Sequence, residues 1–68
     1  MIHPLGSGGF VISSRRVWRP GVYENARVAR WAFQFADEEL ATLWDGSHGL
    51  PIRHDDLKRL ADRRRLPS

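Results

Sequence analysis

The sequence contains no cysteine and no long apolar run, and both absences restrict what the protein can be. Without cysteine, neither disulfides nor a thiolate metal site can stabilise a chain of 68 residues. No apolar run approaches the roughly 20 residues that a membrane span needs, and the start of the chain lacks the charged region and apolar stretch of a secretory signal. We therefore expect a soluble, cytoplasmic protein without a membrane partner.

Lysine is also scarce. The chain has one lysine and ten arginines against eight acidic residues, which gives a net charge of +3. Residues 1–30 carry five arginines and one glutamate, residues 31–52 four acids and no base, and residues 53–68 six bases and three acids. Guanidinium groups bind phosphate bidentately and stack on aromatic rings. Two basic segments around an acidic one favour an anionic partner or self-association through opposite charges.

Apolar residues spaced three and four apart predict that one long stretch of the chain is helical. They are Val22, Ala26, Ala29, Phe33, Ala36, Leu40 and Leu43. We predict helices at 22–34, 37–44 and 55–65, with a break near Phe35 and Ala36 and with Asp37 as the cap of the second helix. A strand reading of residues 28–35 stays open, because apolar and polar residues also partly alternate there.

The predicted fold is mainly α, a small three-helix domain with a short extended or β segment before it. Phe10–Ile12 and Val17–Trp18 are the β-prone runs. Residues 1–9, with three glycines, are expected to form a flexible arm, residues 10–66 the single domain and residues 67–68 a tail. The second connection is long for a helix-turn-helix, where three to four residues are usual, so that motif is one arrangement among several.

The basic residues near both ends of the chain are the predicted nucleic-acid contacts. If the third helix lies in a groove of double-stranded DNA, side chains three and four apart reach phosphates, and the proximal arginines hold the backbone. Asp55, Asp56 and Asp62 oppose this on the same helix. The predicted contact residues are Arg15, Arg16, Arg53, Lys58, Arg59, Arg63, Arg64 and Arg65, and Arg19 belongs to the same basic set.

Three aromatic residues suggest a second kind of surface. Trp31 and Phe35 would lie one turn apart on a helix, opposite the core stripe, and Trp18 adds another large ring. Exposed aromatic residues beside arginine are typical anchors of protein interfaces. The alternative is that the N-terminal segment covers these rings as a second layer of core. A homodimer is intermediate between exposed and covered rings, because a second copy supplies burial that so short a chain lacks.

Catalysis and cofactor binding receive little support from the sequence. His48, His54, Asp55 and Asp56 match no standard zinc spacing, and helix capping explains the two aspartates. Ser13 and Ser14 have no identifiable base, and the glycines of residues 6–9 are not followed by the Lys-Ser/Thr of a phosphate loop. We expect no enzyme, no metal and no cofactor.

The size, the arginine bias and the predicted helices resemble small accessory proteins of bacteriophages and mobile elements. That group includes DNA-binding regulators, excisionase-like factors and inhibitors that bind host proteins, and the resemblance assigns no residue. The first hypothesis is therefore a small DNA-binding protein that regulates transcription and contacts phosphate through its C-terminal arginines. The alternative is an inhibitor or adaptor that binds a host protein through Trp18, Trp31 and Phe35.

Overall fold

The structure, a computed structural model, describes residues 1–65 and consists of a small antiparallel sheet followed by three helices. The predicted tail at residues 67–68 lies outside the described residues. The elements in chain order are β1 (Ile2–Pro4), β2 (Phe10–Ser14), β3 (Val17–Trp18), α1 (Ala26–Ala32), α2 (Asp37–Gly46) and α3 (His54–Arg65). The three predicted helices and the β segment before them are confirmed, and because that segment is a three-stranded antiparallel sheet, the chain is a small α/β domain with more helix than strand.

The sheet has the strand order β1-β2-β3, and both pairs are antiparallel. Ile2 lies opposite Ile12 and Pro4 opposite Phe10, while Ser13 lies opposite Trp18. The flexible arm expected at residues 1–9 is thus a β-hairpin arm in this structure. The glycines that suggested disorder form the turn between β1 and β2, where the Leu5 N–H donates to the Gly9 carbonyl at 3.0 Å.

The two faces of the sheet have different surroundings. Side chains opposite one another across an antiparallel pair share a face, and successive residues alternate between faces. Ile2, Phe10 and Ile12 therefore share one face, and all three belong to or pack on the hydrophobic core. The other face carries His3, Val11, Ser13 and Trp18, none of which belongs to that core. We call this second side the open face.

Tyr23 explains why α1 begins four residues later than predicted. Its N–H and C=O both bond to Phe10 in an antiparallel bridge, and it forms a parallel bridge with Ile52. This extended backbone excludes residues 22–24 from a helix. Asn25 then caps α1, because its side chain accepts a hydrogen bond from the Val28 N–H at 2.9 Å.

The predicted break between the first two helices is confirmed, and residues 28–32 are helical rather than a strand. Ala36 has an extended backbone and is the N-cap of α2, so the prediction that Asp37 caps this helix is wrong. Alanine has no side-chain acceptor. The Glu39 carboxylate instead accepts from the Ala36 N–H at 3.0 Å, which is one half of a capping box.

The hydrophobic core does not follow the predicted stripe. Of the seven stripe residues only Ala29 and Leu40 are buried, and Ala26 and Ala36 are exposed. The stripe assumed one helical phase across residues 22–43, whereas the chain changes conformation at Tyr23 and again between residues 33 and 36. The buried residues come from every part of the chain, namely Ile12, Tyr23, Val28, Ala29, Ala32, Phe35, Leu40, Ile52 and Leu57.

Helices α2 and α3 are joined by residues 47–53, which is longer than the turn of a helix-turn-helix. Leu57 of α3 is buried, and Leu60 and Ala61 pack beside it, as the narrow apolar stripe predicted. Among residues 1–65, no helix has both the length and the apolar character to cross a bilayer.

Candidate nucleic-acid interface

The turn between β2 and β3 presents two arginines in an unfavourable backbone conformation. Arg15 and Arg16 are the two residues between the paired Ser14 and Val17, with φ of 52° and 66°. Positive φ at both positions is the requirement of a type I′ hairpin turn, which Asn-Gly normally satisfies. Side chains with a Cβ cost about 1 kcal/mol each in this region. Local stability therefore does not explain two arginines here, and both are exposed.

Trp18 lies next to this turn, on the open face of the sheet. It is 65% exposed, although tryptophan is among the most hydrophobic side chains. The ring is held from one side by His3, whose ring centroid lies 4.9 Å away at an interplanar angle of 61°. This exposed indole offers a flat apolar surface to a ligand.

His3 and Ser13 form a pair on the open face that the sequence did not indicate. The His3 Nε2 and the Ser13 Oγ lie 2.9 Å apart, in hydrogen-bond contact. The pairing of β1 with β2 brings these residues together across ten positions of sequence. Within residues 1–65, no carboxylate bonds to the other ring nitrogen of His3, so this pair lacks the third member of a catalytic triad.

Arg19 stabilises the fold through its hydrogen bonds and is not part of a free basic surface. Its Nε donates to Asp37 Oδ1 at 2.8 Å, and its Nη1 donates to the Phe33 carbonyl at 3.2 Å. Its Nη2 donates to the Phe35 carbonyl. Because the last carbonyls of a helix have no partners within that helix, this one guanidinium closes the end of α1 and joins it to the sheet.

The predicted basic residues of α3 differ in how free they are. Arg59 pairs with Asp56 at 2.8 Å, and Arg64 pairs with Glu39 of α2 at 3.3 Å. Arg64 also lies over the Phe35 ring, with its Cζ 5.1 Å from the ring centroid. Arg64 therefore ties α3 to the rest of the fold, and a phosphate would have to compete for it.

Four other predicted contacts at this end of the chain are exposed and form no ion pair among residues 1–65. They are Arg53, Lys58, Arg63 and Arg65. Arg15 and Arg16 of the turn are likewise exposed and without an ion pair in the described part of the chain, as are Arg27 and Arg30 of α1, which were not among the predicted contacts.

Two of the three predicted interface aromatics do not lie on the surface as expected. Phe35 is buried, with 3% exposure, because it follows the end of α1 and turns into the core. Trp31 is half-buried between the Phe35 ring at 6.1 Å and the His54 ring at 4.9 Å. Of the two interpretations of these rings, covered or exposed, the structure has them covered in whole or in part, and Phe35 lies outside α1. Trp18 alone among the three is exposed.

A groove of about 1070 Å³ opens between α2, α3 and their connection. Its apolar lining includes Leu43, Leu60 and Leu50, the last of which is 68% exposed. The α2 side carries Glu38, and the α3 side carries Arg63. The groove was not predicted, because only the packing of the two helices creates it.

The described residues give no sign of a metal centre. No three carboxylate or imidazole groups come together within residues 1–65. His48 and His54, whose spacing matches no standard zinc pattern, are both exposed, and His54 contacts the Trp31 ring.

Comparisons with protein-family models, with curated proteins and with solved structures give no match for this chain. Its function therefore has to be argued from its own residues.

Proposed function

We propose that the protein binds DNA as a small regulatory protein, and that the β2–β3 hairpin is a principal contact. One observation carries the proposal, namely that Arg15 and Arg16 stand in a strained turn where neither makes an ion pair within residues 1–65. Conformational strain is retained at functional sites when the surrounding fold supports it. Two guanidinium groups at a protruding tip suit phosphate, because each can bind it bidentately.

The cations of α3 add to this contact in the proposal. Lys58, Arg63 and Arg65 are exposed on α3, and Arg53 precedes it. Asp55 and Asp62 are exposed on the same helix and repel phosphate, so α3 does not lie deep in a groove. The proposal also does not require a helix-turn-helix, since residues 47–53 make a longer connection than that motif uses.

The test distinguishes the effect of the hairpin's charge on DNA affinity from the effect of its backbone conformation. We would titrate a fluorescein-labelled 20-base-pair duplex with protein and measure anisotropy at several salt concentrations. The variant Arg15→Asn/Arg16→Gly suits the turn but removes both charges, whereas Arg15→Lys/Arg16→Lys keeps the charges. We expect the first variant to lose at least about tenfold in affinity and about two counterions from the salt slope. The lysine variant should keep most of the salt slope.

The proposal fails if the Asn-Gly variant binds duplex as tightly as the wild type with the same salt slope. It also fails if a folded wild-type sample shows no binding at low salt. Combined replacement of Lys58 and Arg63 by alanine tests the contribution of α3 separately, and we expect a smaller loss than at the hairpin.

A second candidate function is protein binding, and the groove beside α2 and α3 favours it. Its exposed Leu50 and its opposite charges at Glu38 and Arg63 suit a partner with an apolar stripe between acidic and basic residues. The chain itself has such charges, so a homodimer is the partner to test first. Light scattering at increasing concentration should then show a dimer that Leu50→Asp abolishes. A monomer throughout would remove the homodimer form of this candidate.

A further inference from the structure

We infer that the open face of the sheet is a stacking site for an unpaired base of a single-stranded nucleic acid, with Trp18 as the platform. This inference rests on the proposed function for the contacts between arginine and phosphate. It goes further because it names the class of nucleic acid and the residue that stacks on a base. It also uses Trp18 because, among residues 1–65, this is the large aromatic ring that packing leaves exposed on the sheet.

Trp18 is positioned by its neighbours without being buried. Its backbone pairs with Ser13 of β2, and its ring contacts His3 of β1, so two strands hold it. The ring nevertheless keeps 65% of its surface in solvent. Its neighbour Val17 points to the opposite face of the same strand and is 59% exposed. Both residues of β3 are thus exposed, one on each face, because this short strand lies at the edge of the sheet.

The turn beside the Trp18 ring is positively charged. Arg15 and Arg16 lie within three residues of Trp18, in the turn that joins the strands of its hairpin. The other residues of the open face are His3, Val11 and Ser13, so it carries no carboxylate, and no acidic residue occurs before Glu24. A nucleic-acid strand crossing this face would meet guanidinium groups for its phosphates and an indole for a base. Basic grooves with aromatic platforms are the usual design of proteins that bind single strands.

An exposed aromatic ring on a sheet favours a single strand over a duplex. In a duplex each base is stacked on its neighbours, and a protein in the groove reaches only its edges. An aromatic ring on a sheet needs the face of a base, which an unpaired nucleotide offers. A planar ring exposed on a sheet is thus better matched to a single strand than to either groove of a duplex.

The test compares two neighbouring residues of the same hairpin. Trp18→Ala removes the platform, and Val17→Ala is the matched control, because it truncates an equally exposed apolar side chain on the other face. The probes are a labelled 15-nucleotide thymidine strand and a labelled mixed-sequence duplex of the same length, at one salt concentration. We expect Trp18→Ala to weaken single-strand binding about 5-fold to 100-fold with little effect on the duplex. Val17→Ala should leave both affinities unchanged, and Trp18→Phe should retain most single-strand binding.

Equal single-strand affinities for Trp18→Ala and the wild type would overturn this inference. If both also bound duplex, and duplex binding still required Arg15 and Arg16, the proposed DNA-binding function would stand without the stacking site. If the wild type bound the single strand through Trp18 but did not bind duplex, the stacking site would be supported and the duplex part of the proposed function rejected. A folded wild type that binds neither probe would reject both.

Discussion

Arg19 and Asp37 form an ion pair of 2.8 Å in which the two partners have very different surroundings. The Arg19 side chain is 11% exposed, whereas the Asp37 side chain is 60% exposed. The remaining donors of Arg19 point at the carbonyls of Phe33 and Phe35. The guanidinium therefore serves mainly to satisfy the end of α1, and the carboxylate of Asp37 is a secondary partner.

We expect Arg19→Ala to lower the free energy of unfolding by about 2–4 kcal/mol, because it leaves partly buried carbonyls without donors. Asp37→Asn is the control and should cost less than about 1 kcal/mol, as for other exposed ion pairs. Arg19→Lys should not restore stability, since one ammonium cannot reach several acceptors in a plane. Urea denaturation followed by circular dichroism measures all three. Equal losses for Arg19→Ala and Asp37→Asn would show that the ion pair, not the carbonyl contacts, carries the stability.

Gly21 lies where the chain turns from the sheet toward Tyr23, and a side chain does not fit there. Its φ is +105°, and an added Cβ would lie 2.8 Å from the Tyr23 hydroxyl and 2.9 Å from the Ile52 Cδ1. We predict that Gly21→Ala destabilises the protein by about 2 kcal/mol or more. Gly49→Ala is the matched control, because Gly49 also has positive φ but has open space around it. If the two variants have the same thermal midpoint, steric contact at Gly21 is not the cause.

Because the hydroxyl of Tyr23 is buried, we expect the protein to lose stability at alkaline pH. Burial raises the pKa of its hydroxyl to about 12, with Arg19 acting in the opposite direction, and the hydroxyl donates to the Pro20 carbonyl. The ordinary pKa is about 10, so between pH 10 and 12 the unfolded chain releases a proton that the native state retains. Stability from the neutral phenol is therefore complete below pH 10 and is lost as the pH rises to about 12. The loss amounts to at most about 3 kcal/mol.

Denaturation at pH 8, 10 and 11.5 tests this, with Tyr23→Phe as the control. The phenylalanine variant should be less stable at pH 8 by about 1 kcal/mol, the usual contribution of one hydrogen bond. Its stability should fall less than that of the wild type above pH 10. Parallel pH curves for the two proteins would contradict the assignment.

At the β2–β3 hairpin, we expect the substitution that stabilises the turn to weaken DNA binding. Arg15→Asn/Arg16→Gly places favoured residues at two positions of positive φ, and we expect a gain of about 1–2 kcal/mol in the free energy of unfolding. Urea denaturation of the wild type, this variant and Arg15→Lys/Arg16→Lys provides the measurement. The lysine variant retains a Cβ at both positions and should match the wild type. A destabilised Asn-Gly variant would mean that the arginine side chains make stabilising contacts, and the strain argument would then fail.

Local chemistry in the sequence was enough to locate the helices approximately. The break between the first two helices and the start of α3 were predicted within one or two residues, because acidic first turns, a basic last turn and proline act over a few residues. The basic character of both chain ends and the apolar side of α3 at Leu57, Leu60 and Ala61 were also readable, since neither depends on distant parts of the chain.

Long-range pairing decided the rest. The sequence shows no sign that Ile2 faces Ile12 or that Tyr23 bridges Phe10 and Ile52, because backbone hydrogen bonds across a sheet leave little trace in side-chain periodicity. Because of those pairings, α1 begins later than predicted, and the core is formed by residues from several elements instead of one helical stripe. Arg19 and Phe35 are also less exposed than predicted. The same pairings also brought His3, Ser13 and Trp18 onto one open face. The sequence by itself determined the charge of the surface and the positions of the helices, whereas tertiary packing alone decided which arginines and which tryptophan remained available to a ligand.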